Sequence, residues 1–293
     1  MSRKAKRRLT EGLFNLYGFL VYGFLYIPVI VMVVFSFNDS TNNQIWNGFT
    51  TEWYGTLMSD SELWRILLTT VVIAIISTVI AVVLGTIGAV GMSRTDFKGK
   101  KLISTLLYIP IIIPEIVLAV ATLLVIRKAG LGLGMLAMCM GNVTLILPYV
   151  YITVKSRLTG MDQSIEEASL DLGANRAYTF LHVILPNILP GVVSGAFMAF
   201  TLAFGDLVIV SFMANATTVT LPMDVYSMLK RGIRPEINAL STVILVAFLV
   251  GITASKLISS HIDKMNRRKG LEENERKEGE EDERYEGRVI ILE

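Results

Sequence analysis

Two carboxylates lie inside stretches of the sequence that are otherwise almost free of charge. Glu115 follows Pro114 in one apolar segment, and Asp206 follows Gly205 in another. A charged group inside a bilayer is unfavourable unless it faces protein or water, so these carboxylates are candidates for a functional site. Proline disfavours straight helix, glycine permits a local break, and broken helices often build transport sites. These residue types favour a gate or a site that recognises a cation.

The other reactive side chains do not form a catalytic or metal-binding pattern. Cys139 is the only cysteine, so neither an internal disulfide nor a cysteine-rich metal site can form. His182 and His261 are too far apart in sequence to suggest a ligand pair. The sequence also lacks a catalytic triad and a phosphate-cradling glycine loop. We therefore expect a chain that is not an enzyme and that uses no metal, no cofactor and no nucleic acid.

The segments that carry the two carboxylates are predicted to be membrane-spanning helices. The chain is 53% hydrophobic and only 18% charged, and a bilayer core calls for roughly 20 consecutive apolar residues per helix. The sequence thus predicts an all-α integral membrane protein with a six-helix transmembrane domain over residues 13–262. A count of five or seven stays open, because 223–229 is a short apolar patch and 50–58 could lie on the surface. The predicted spans are residues 13–37, 66–93, 102–126, 131–154, 188–214 and 237–255.

The distribution of Lys and Arg predicts that both termini are cytoplasmic. Basic residues crowd the arm 1–12 and the segments after the second, fourth and sixth spans, and short cytoplasmic loops are enriched in such residues. The segment 263–293 is highly charged and holds few apolar residues, so it cannot bury enough surface to fold alone. We expect it to be a disordered cytoplasmic tail of a multi-pass membrane protein.

A hairpin of two short helices is predicted between the fourth and fifth spans. Ser164 and Glu167 have the spacing of a capping box at a helix start. Gly173 suits a left-handed helix end, and a second helix over 175–184 would be closed by Pro186. Such an amphipathic hairpin could rest in the lipid headgroups or dock onto a partner.

The spacing within residues 155–187 resembles the cytoplasmic loop of ABC importer permeases. That family has a Glu-Ala-Ala triplet, then a glycine after three residues, then Ile-x-Leu-Pro about nine residues later. This chain has Glu167-Ala168-Ser169, Gly173 and Val-Ile-Leu-Pro at 183–186, with mild departures at Ser169 and Val183. The resemblance implies a coupling helix that docks into a groove of an ATPase subunit. Glu167 and Ala168 would then make docking contacts, and Gly173 would form the turn.

The chain up to about residue 261 also resembles the second permease subunit of spermidine/putrescine importers. This resemblance implies a type I importer permease fold with six transmembrane helices and a cytoplasmic coupling helix, in the bacterial inner membrane. It implies a second homologous permease, two ATPase subunits, an extracytoplasmic substrate-binding protein and the lipid bilayer as partners. The ATPase subunits would hydrolyse ATP, so this chain would be non-catalytic. The motifs that carry the resemblance lie at 47–54, 108–119, 155–162, 221–228 and 235–240.

A polyamine is a flexible chain of ammonium groups, and its recognition requires carboxylates and aromatic faces. Trp53, Glu115 and Asp206 match positions where the polyamine subfamily carries such residues. Gly205 is a departure, since the subfamily often has two adjacent acids there. A site with one carboxylate fewer would favour a shorter polyamine or weaker binding.

Other roles for these three residues stay open. Glu115 could be neutral and hydrogen-bonded to a neighbouring helix, and Asp206 could pair across the interface with the second permease. Trp53, together with Trp46 and Tyr54, could belong to an aromatic belt at the membrane surface.

Two alternative functions also stay open. The first is an ABC permease for another solute, such as iron or phosphonate. The second is an ATP-independent channel or secondary carrier, which would predict inverted internal repeats and would leave the 155–187 loop without a purpose.

Overall fold

The structure is a computed structural model that describes residues 3–40, 45–251 and 253. These residues are nearly all helical, and their only recorded β-pairing is a bridge between Asn38 and Phe49. The chain divides into two compact units, Met58–Ile233 and the residues up to Leu57 together with those from Arg234. This architecture confirms the predicted all-α fold class. The predicted tail 263–293 lies outside the described residues.

The helices follow one another with short connections, and one five-residue π-turn, Phe180–Ile184, joins the helix Arg176–Thr179 to the helix Leu185–Gly205. They are α1 Arg3–Phe35, α2 Glu52–Ser59, α3 Ser61–Arg94, α4 Lys100–Ile112, α5 Glu115–Lys128, α6 Met135–Thr159, α7 Ser164–Asp171, α8 Arg176–Thr179, α9 Leu185–Gly205, α10 Val208–Met213, α11 Leu221–Arg231 and α12 Pro235–Gly251.

Most of the predicted spans coincide with long apolar helices. Four are long and apolar enough to cross a bilayer unaided: Glu11–Phe35, α3, α6 and the continuous stretch Arg176–Gly205. The pair α4 and α5 is apolar enough when taken together, but it is bent by 116°, which is the geometry of a broken span or of a re-entrant loop. The sixth predicted span, 237–255, coincides with the shorter apolar helix α12 in the part that the structure describes. The count of six therefore stays a prediction.

The core of the unit Met58–Ile233 is built on the close packing of α3, α6 and α9. Along α3, the buried residues toward the core are small, including Ala74, Ala81 and Ala89. They pack in one cluster with Val150 and Tyr151 of α6. Small residues let helix backbones approach closely where lipid supplies no hydrophobic driving force between helices.

Glycines mark the tightest helix contacts in this unit. A methyl group added at Gly85 of α3 would lie 2.9 Å from Cγ1 of Val150. One added at Gly191 of α9 would lie 2.8 Å from Cβ of Arg157, and one at Gly141 of α6 would collide with Ile209 of α10. The sequence therefore uses glycine where α6 meets three neighbouring helices.

The unit that begins with α1 is organised around Asn38, which follows that helix. The Asn38 amide donates to the carbonyl oxygen of Ile45 (2.7 Å), and its side-chain oxygen accepts from the amide of Asn47 (2.9 Å). Phe37 and Phe49 stack with ring centroids 5.3 Å apart. Because α1 already begins at Arg3, the predicted basic arm 1–12 continues helically into the first span.

We predict that Gly85→Val destabilises the fold, since a branched side chain cannot fit against Val150. Overpacking of a tight core contact costs about 2 kcal/mol, so the free energy of unfolding should fall by about that amount. The thermal unfolding midpoint of the purified full-length chain in detergent measures this. Gly91→Val is the matched control, because the same helix has nothing within 4 Å of a methyl group at that position. An equal loss in both variants would contradict the packing account.

Candidate functional site

Glu115 lies at a sharp break between two helices. Ile113 has an extended backbone and Pro114 follows it, so α4 ends and α5 begins in a new direction. The residue before a proline is disfavoured in a helix, which explains why the chain leaves α4 at this position. The Pro114 carbonyl oxygen accepts from the amide of Val117 (2.9 Å) and so starts α5. Glu115, exposed in the first turn of α5, has the charge that a helix N-terminus favours.

Asp206 lies at a second break, between α9 and α10. Its two carboxylate oxygens accept hydrogen bonds from the amides of Ile209 (3.1 Å) and Val210 (3.0 Å). The side chain is buried, at 5% exposure. It satisfies backbone donors in the first turn of α10 that would otherwise have no partner inside the protein. Asp206 thus has a structural role that the sequence did not reveal.

The structure brings these two carboxylates together. The helices α5 and α10 pack on each other, and the side chain of Glu115 interacts with that of Asp206. One carboxylate is exposed and the other is buried, and each stands at the start of a helix. Gly205 contributes no side chain here, so the described site holds these two carboxylates. An arrangement of this kind can hold an ammonium group between two carboxylates.

Trp53 belongs to the other unit and has a hydrogen bond of its own there. Its indole Nε1 donates to the carbonyl oxygen of Asn38 at 2.8 Å. Its side chain is half-buried. The bond ties the ring of Trp53, a residue of α2, to the loop that follows α1. It occupies the N–H donor in the plane of the ring and leaves the two ring faces out of the hydrogen bond.

The segment between α6 and α9 forms the predicted hairpin, and Gly173 makes its turn. Gly173 has a φ of +88°, a region that only glycine adopts without strain. The amide of Gly173 donates to the carbonyl oxygen of Leu170, and the amide of Ala174 donates to the carbonyl oxygen of Ser169. These two bonds are the pattern of a helix that ends in a left-handed glycine, so this prediction is confirmed.

Two details of the predicted hairpin are wrong. Ser164 is the first residue inside α7 rather than its cap, and its amide donates to Oδ1 of Asp162 (2.9 Å). The Asp162 carboxylate therefore accepts from an amide in the first turn of α7, in place of the expected capping box between Ser164 and Glu167. Pro186 does not close the second helix, because the π-turn before it widens the backbone and the helix continues into α9.

Ser169, which departs from the family triplet, has a structural reason. Its hydroxyl lies 3.0 Å from the hydroxyl of Thr179, which is buried. This hydrogen bond ties α7 to α8. Asn175 caps α8 by accepting from the amide of Tyr178 (2.8 Å). The two short helices are therefore held in a fixed relation.

One face of α7 is exposed and partly apolar, and we call it the α7 surface. Leu172 is 90% exposed, and Ile165 is 45% exposed. Glu167 and Ala168 are exposed beside them. Ile165, Ala168 and Leu172 form an exposed apolar patch, and such patches mark surfaces that a partner or a membrane covers.

Sequence reasoning missed an ion pair that ties α7 to α3. Nε of Arg94, at the end of α3, lies 2.7 Å from a carboxylate oxygen of Glu166, and both side chains are less than a fifth exposed. The two residues are distant in sequence, so no local spacing could predict the pair. The only signal was a basic span end and an acidic helix start on the same predicted side of the membrane.

The residues that the structure describes contain no group of three or more His, Cys, Asp or Glu side chains able to hold a metal ion. Cys139 is buried in α6.

Comparison with known proteins relates this fold to one family. Residues 81–268 match the model of the family "Binding-protein-dependent transport system inner membrane component". The chain is 38% identical over 261 residues to the spermidine/putrescine transport system permease protein PotC of Escherichia coli K12, covering 88% of this chain and 97% of that protein. It is 37% identical over 248 residues to the putrescine transport system permease protein PotI of the same strain, covering 82% and 88%.

Solved structures support the same fold. A chain of a bacterial ABC transporter involved in the import of the acidic polysaccharide alginate superposes with a TM-score of 0.65 at 14% identity, covering 87% of this chain and 98% of that one. A chain of the MetNI methionine ABC transporter in an inward-facing conformation gives 0.57 at 20% identity, covering 69% and 99%. With 38% identity to PotC over most of its length, this chain belongs to the family of binding-protein-dependent transport system inner membrane components, the permeases of ABC importers.

Proposed function

We propose that this chain is one permease subunit of an ATP-driven importer of polyamines such as spermidine and putrescine. The observation that carries this proposal is the exposed α7 surface, which lies on the hairpin between α6 and α9. The relatives of this chain are named as polyamine permeases. The chain would form half of the pathway, and a second homologous permease would form the other half. It would lie in the bacterial inner membrane with both termini in the cytoplasm.

The α7 surface is suited to receive the movement of an ATPase subunit. Glu167 and Ala168 would lie in the docking groove, and Gly173 would keep the turn sharp. The movement would reach α6 and α9 directly, because they are continuous with the hairpin. The pair Arg94–Glu166 would pass it to α3. Two ATPase subunits would hydrolyse ATP below the permeases, and this chain would hydrolyse nothing.

The carboxylates at the two helix breaks would recognise the ammonium groups of the substrate. Glu115 is exposed and can meet an arriving cation, and Asp206 lies behind it. A helix break lets such a site open or close through changes at a few backbone positions. Trp53 would offer a ring face to a cation, since its indole N–H is already bound to Asn38. An external binding protein would deliver the polyamine from the side of the membrane opposite to the ATPase subunits.

Docking through the α7 surface predicts that Glu167→Arg and Gly173→Asp release the ATPase. The first variant reverses a charge in the docking contact, and the second forces an L-residue into a left-handed backbone at a cost of about 1–2 kcal/mol. The amount of ATPase that co-purifies with the tagged permease should fall by about tenfold, as a loss of roughly 1.4 kcal/mol implies.

The matched control is Glu62→Arg, which reverses the charge of an exposed carboxylate in the first turn of α3. This end of α3 is opposite to the one where Arg94 pairs with Glu166 of α7. Its ATPase yield should equal that of the wild type. If the ATPase stays bound to both Glu167→Arg and Gly173→Asp, then α7 is not the coupling helix.

Substrate recognition by the two carboxylates predicts a selective loss of affinity for polyamines. Glu115→Gln and Asp206→Asn should each raise the KM for spermidine uptake by about tenfold, because hydrogen bonds to charged groups contribute about 1.5–3 kcal/mol. Uptake of labelled spermidine by cells that lack their own polyamine permeases measures this. Glu62→Gln makes the same chemical change at an exposed carboxylate elsewhere and should leave the KM unchanged. A lower thermal stability of Asp206→Asn with an unchanged KM would mean that Asp206 only caps α10.

If the solute is a polyamine, other polyamines should compete with labelled spermidine for uptake, and unrelated solutes should not. Unlabelled spermidine or putrescine should abolish the uptake of labelled spermidine, because all three present ammonium groups to the same carboxylates. A phosphonate or chelated iron in equal excess should have no effect. Strong inhibition by either of these and none by putrescine would assign the permease to another solute.

A further inference from the structure

A basic cavity of about 860 Å³ lies where the end of α3, the start of α4 and the end of α6 meet, within the unit Met58–Ile233. It is distinct from the site of Glu115 and Asp206 and from the α7 surface. Four cations and one carboxylate line it: Arg94, Lys100, Lys101, Lys155 and Asp96. The lining therefore carries an excess of three positive charges.

Two of the four cations already have a carboxylate partner. Nζ of Lys100 lies 2.8 Å from Oδ1 of Asp96 and lowers the pKa of that carboxyl group. Arg94 pairs with Glu166 at 2.7 Å. Lys101 and Lys155 have no carboxylate partner in the ranges that the structure describes.

A buried hydroxyl in the cavity wall also has no partner. Tyr151 is only 1% exposed, and its hydroxyl group makes no hydrogen bond to the described residues. Nζ of Lys155 lies 5.3 Å from the centre of its ring, and both residues line the cavity. A buried polar group without a partner is unfavourable and calls for an explanation. An acceptor that enters the cavity would provide the missing hydrogen bond.

The start of α4 adds a third feature that favours an anion. This helix has 13 residues, and its first residues, with Gly99, line the cavity. Gly99 has no side chain to cap the helix, so no side-chain oxygen competes for the first amides. The N-terminus of a helix attracts negative charge through these amides.

We propose that this cavity binds a phosphate group, and specifically the headgroup of an anionic phospholipid. Basic pockets between membrane helices, near the cytoplasmic surface, bind such headgroups. Large apolar side chains next to the cavity are open, with Leu102 64% exposed and Phe97 43% exposed. They would contact the acyl chains while the phosphate accepts hydrogen bonds from Lys101, Lys155 and the hydroxyl of Tyr151. A soluble phosphate compound has no acyl chains that could contact these apolar side chains, so the apolar rim favours a lipid.

The test measures binding of phosphatidylglycerol to the purified full-length chain in detergent, by native mass spectrometry during a lipid titration. Each lysine near an anionic headgroup contributes a factor of about five, so K101Q/K155Q should raise the dissociation constant about 25-fold. Tyr151→Phe keeps the ring and removes only the hydroxyl, and it should raise the dissociation constant about tenfold. Arg94 is left intact because its substitution would also break the pair with Glu166.

The matched control is Lys98→Gln, which removes one charge from the same loop at an exposed position outside the cavity. Its dissociation constant should stay within about twofold of the wild type, as expected for an exposed charge. Phosphatidylcholine with the same acyl chains should not displace the bound lipid. The thermal unfolding midpoint without lipid verifies that each variant is folded. If K101Q/K155Q does not fold, Tyr151→Phe alone decides.

Three results would overturn the proposal. An equal loss for Lys98→Gln and K101Q/K155Q would mean that surface charge alone attracts the lipid. Unchanged binding in Tyr151→Phe would mean that the hydroxyl does not meet the headgroup. If inorganic phosphate binds the wild type and phosphatidylglycerol does not, the ligand is a soluble phosphate compound rather than a lipid.

Discussion

A helix that breaks inside a bilayer must find partners for its freed backbone groups, because hydrocarbon offers no hydrogen bonds. The carboxylate of Asp206 meets this constraint at the break between α9 and α10 by accepting from two amides of α10. The break at Ile113 and Pro114 meets it differently, since Pro114 has no amide hydrogen and its carbonyl starts α5. Both breaks therefore have hydrogen bonds of their own, and each leaves a carboxylate at the start of a helix. The candidate substrate site is a direct consequence of how the broken helices are stabilised.

Close packing around α6 connects these breaks to the opposite end of the unit. Glycines let α6 approach α3, α9 and α10, so a displacement of one helix cannot be absorbed by loose side chains. The hairpin after α6 leads through α8 and a π-turn into α9 without interruption. The ion pair between Arg94 and Glu166 adds a connection from α7 to α3. A movement applied to α7 would thus reach α3, α6 and α9, and α9 ends directly before Asp206.

The features that could be predicted from the sequence are those set by local chemistry. Apolar length located the spans, and the left-handed turn at Gly173 followed from the freedom that only glycine has. A helix break beside Glu115 was expected from Pro114, but the bend of 116° between α4 and α5 depends on tertiary packing. Pro186 was expected to end a helix, whereas the π-turn accommodates it. Contacts between distant positions, such as Arg94 with Glu166 and Glu115 with Asp206, have no local pattern.

The proposed coupling requires that α7 lies against an ATPase subunit and moves with it. Site-directed cross-linking tests this most directly, with the buried Cys139 replaced by Ser and a cysteine introduced at the exposed position of Ala168. In the complete transporter, a thiol-specific cross-linker should join this chain to the ATPase, and the yield should differ between the nucleotide-free and ATP-bound states. No cross-link at Ala168 in either state, with normal assembly of the complex, would contradict the account.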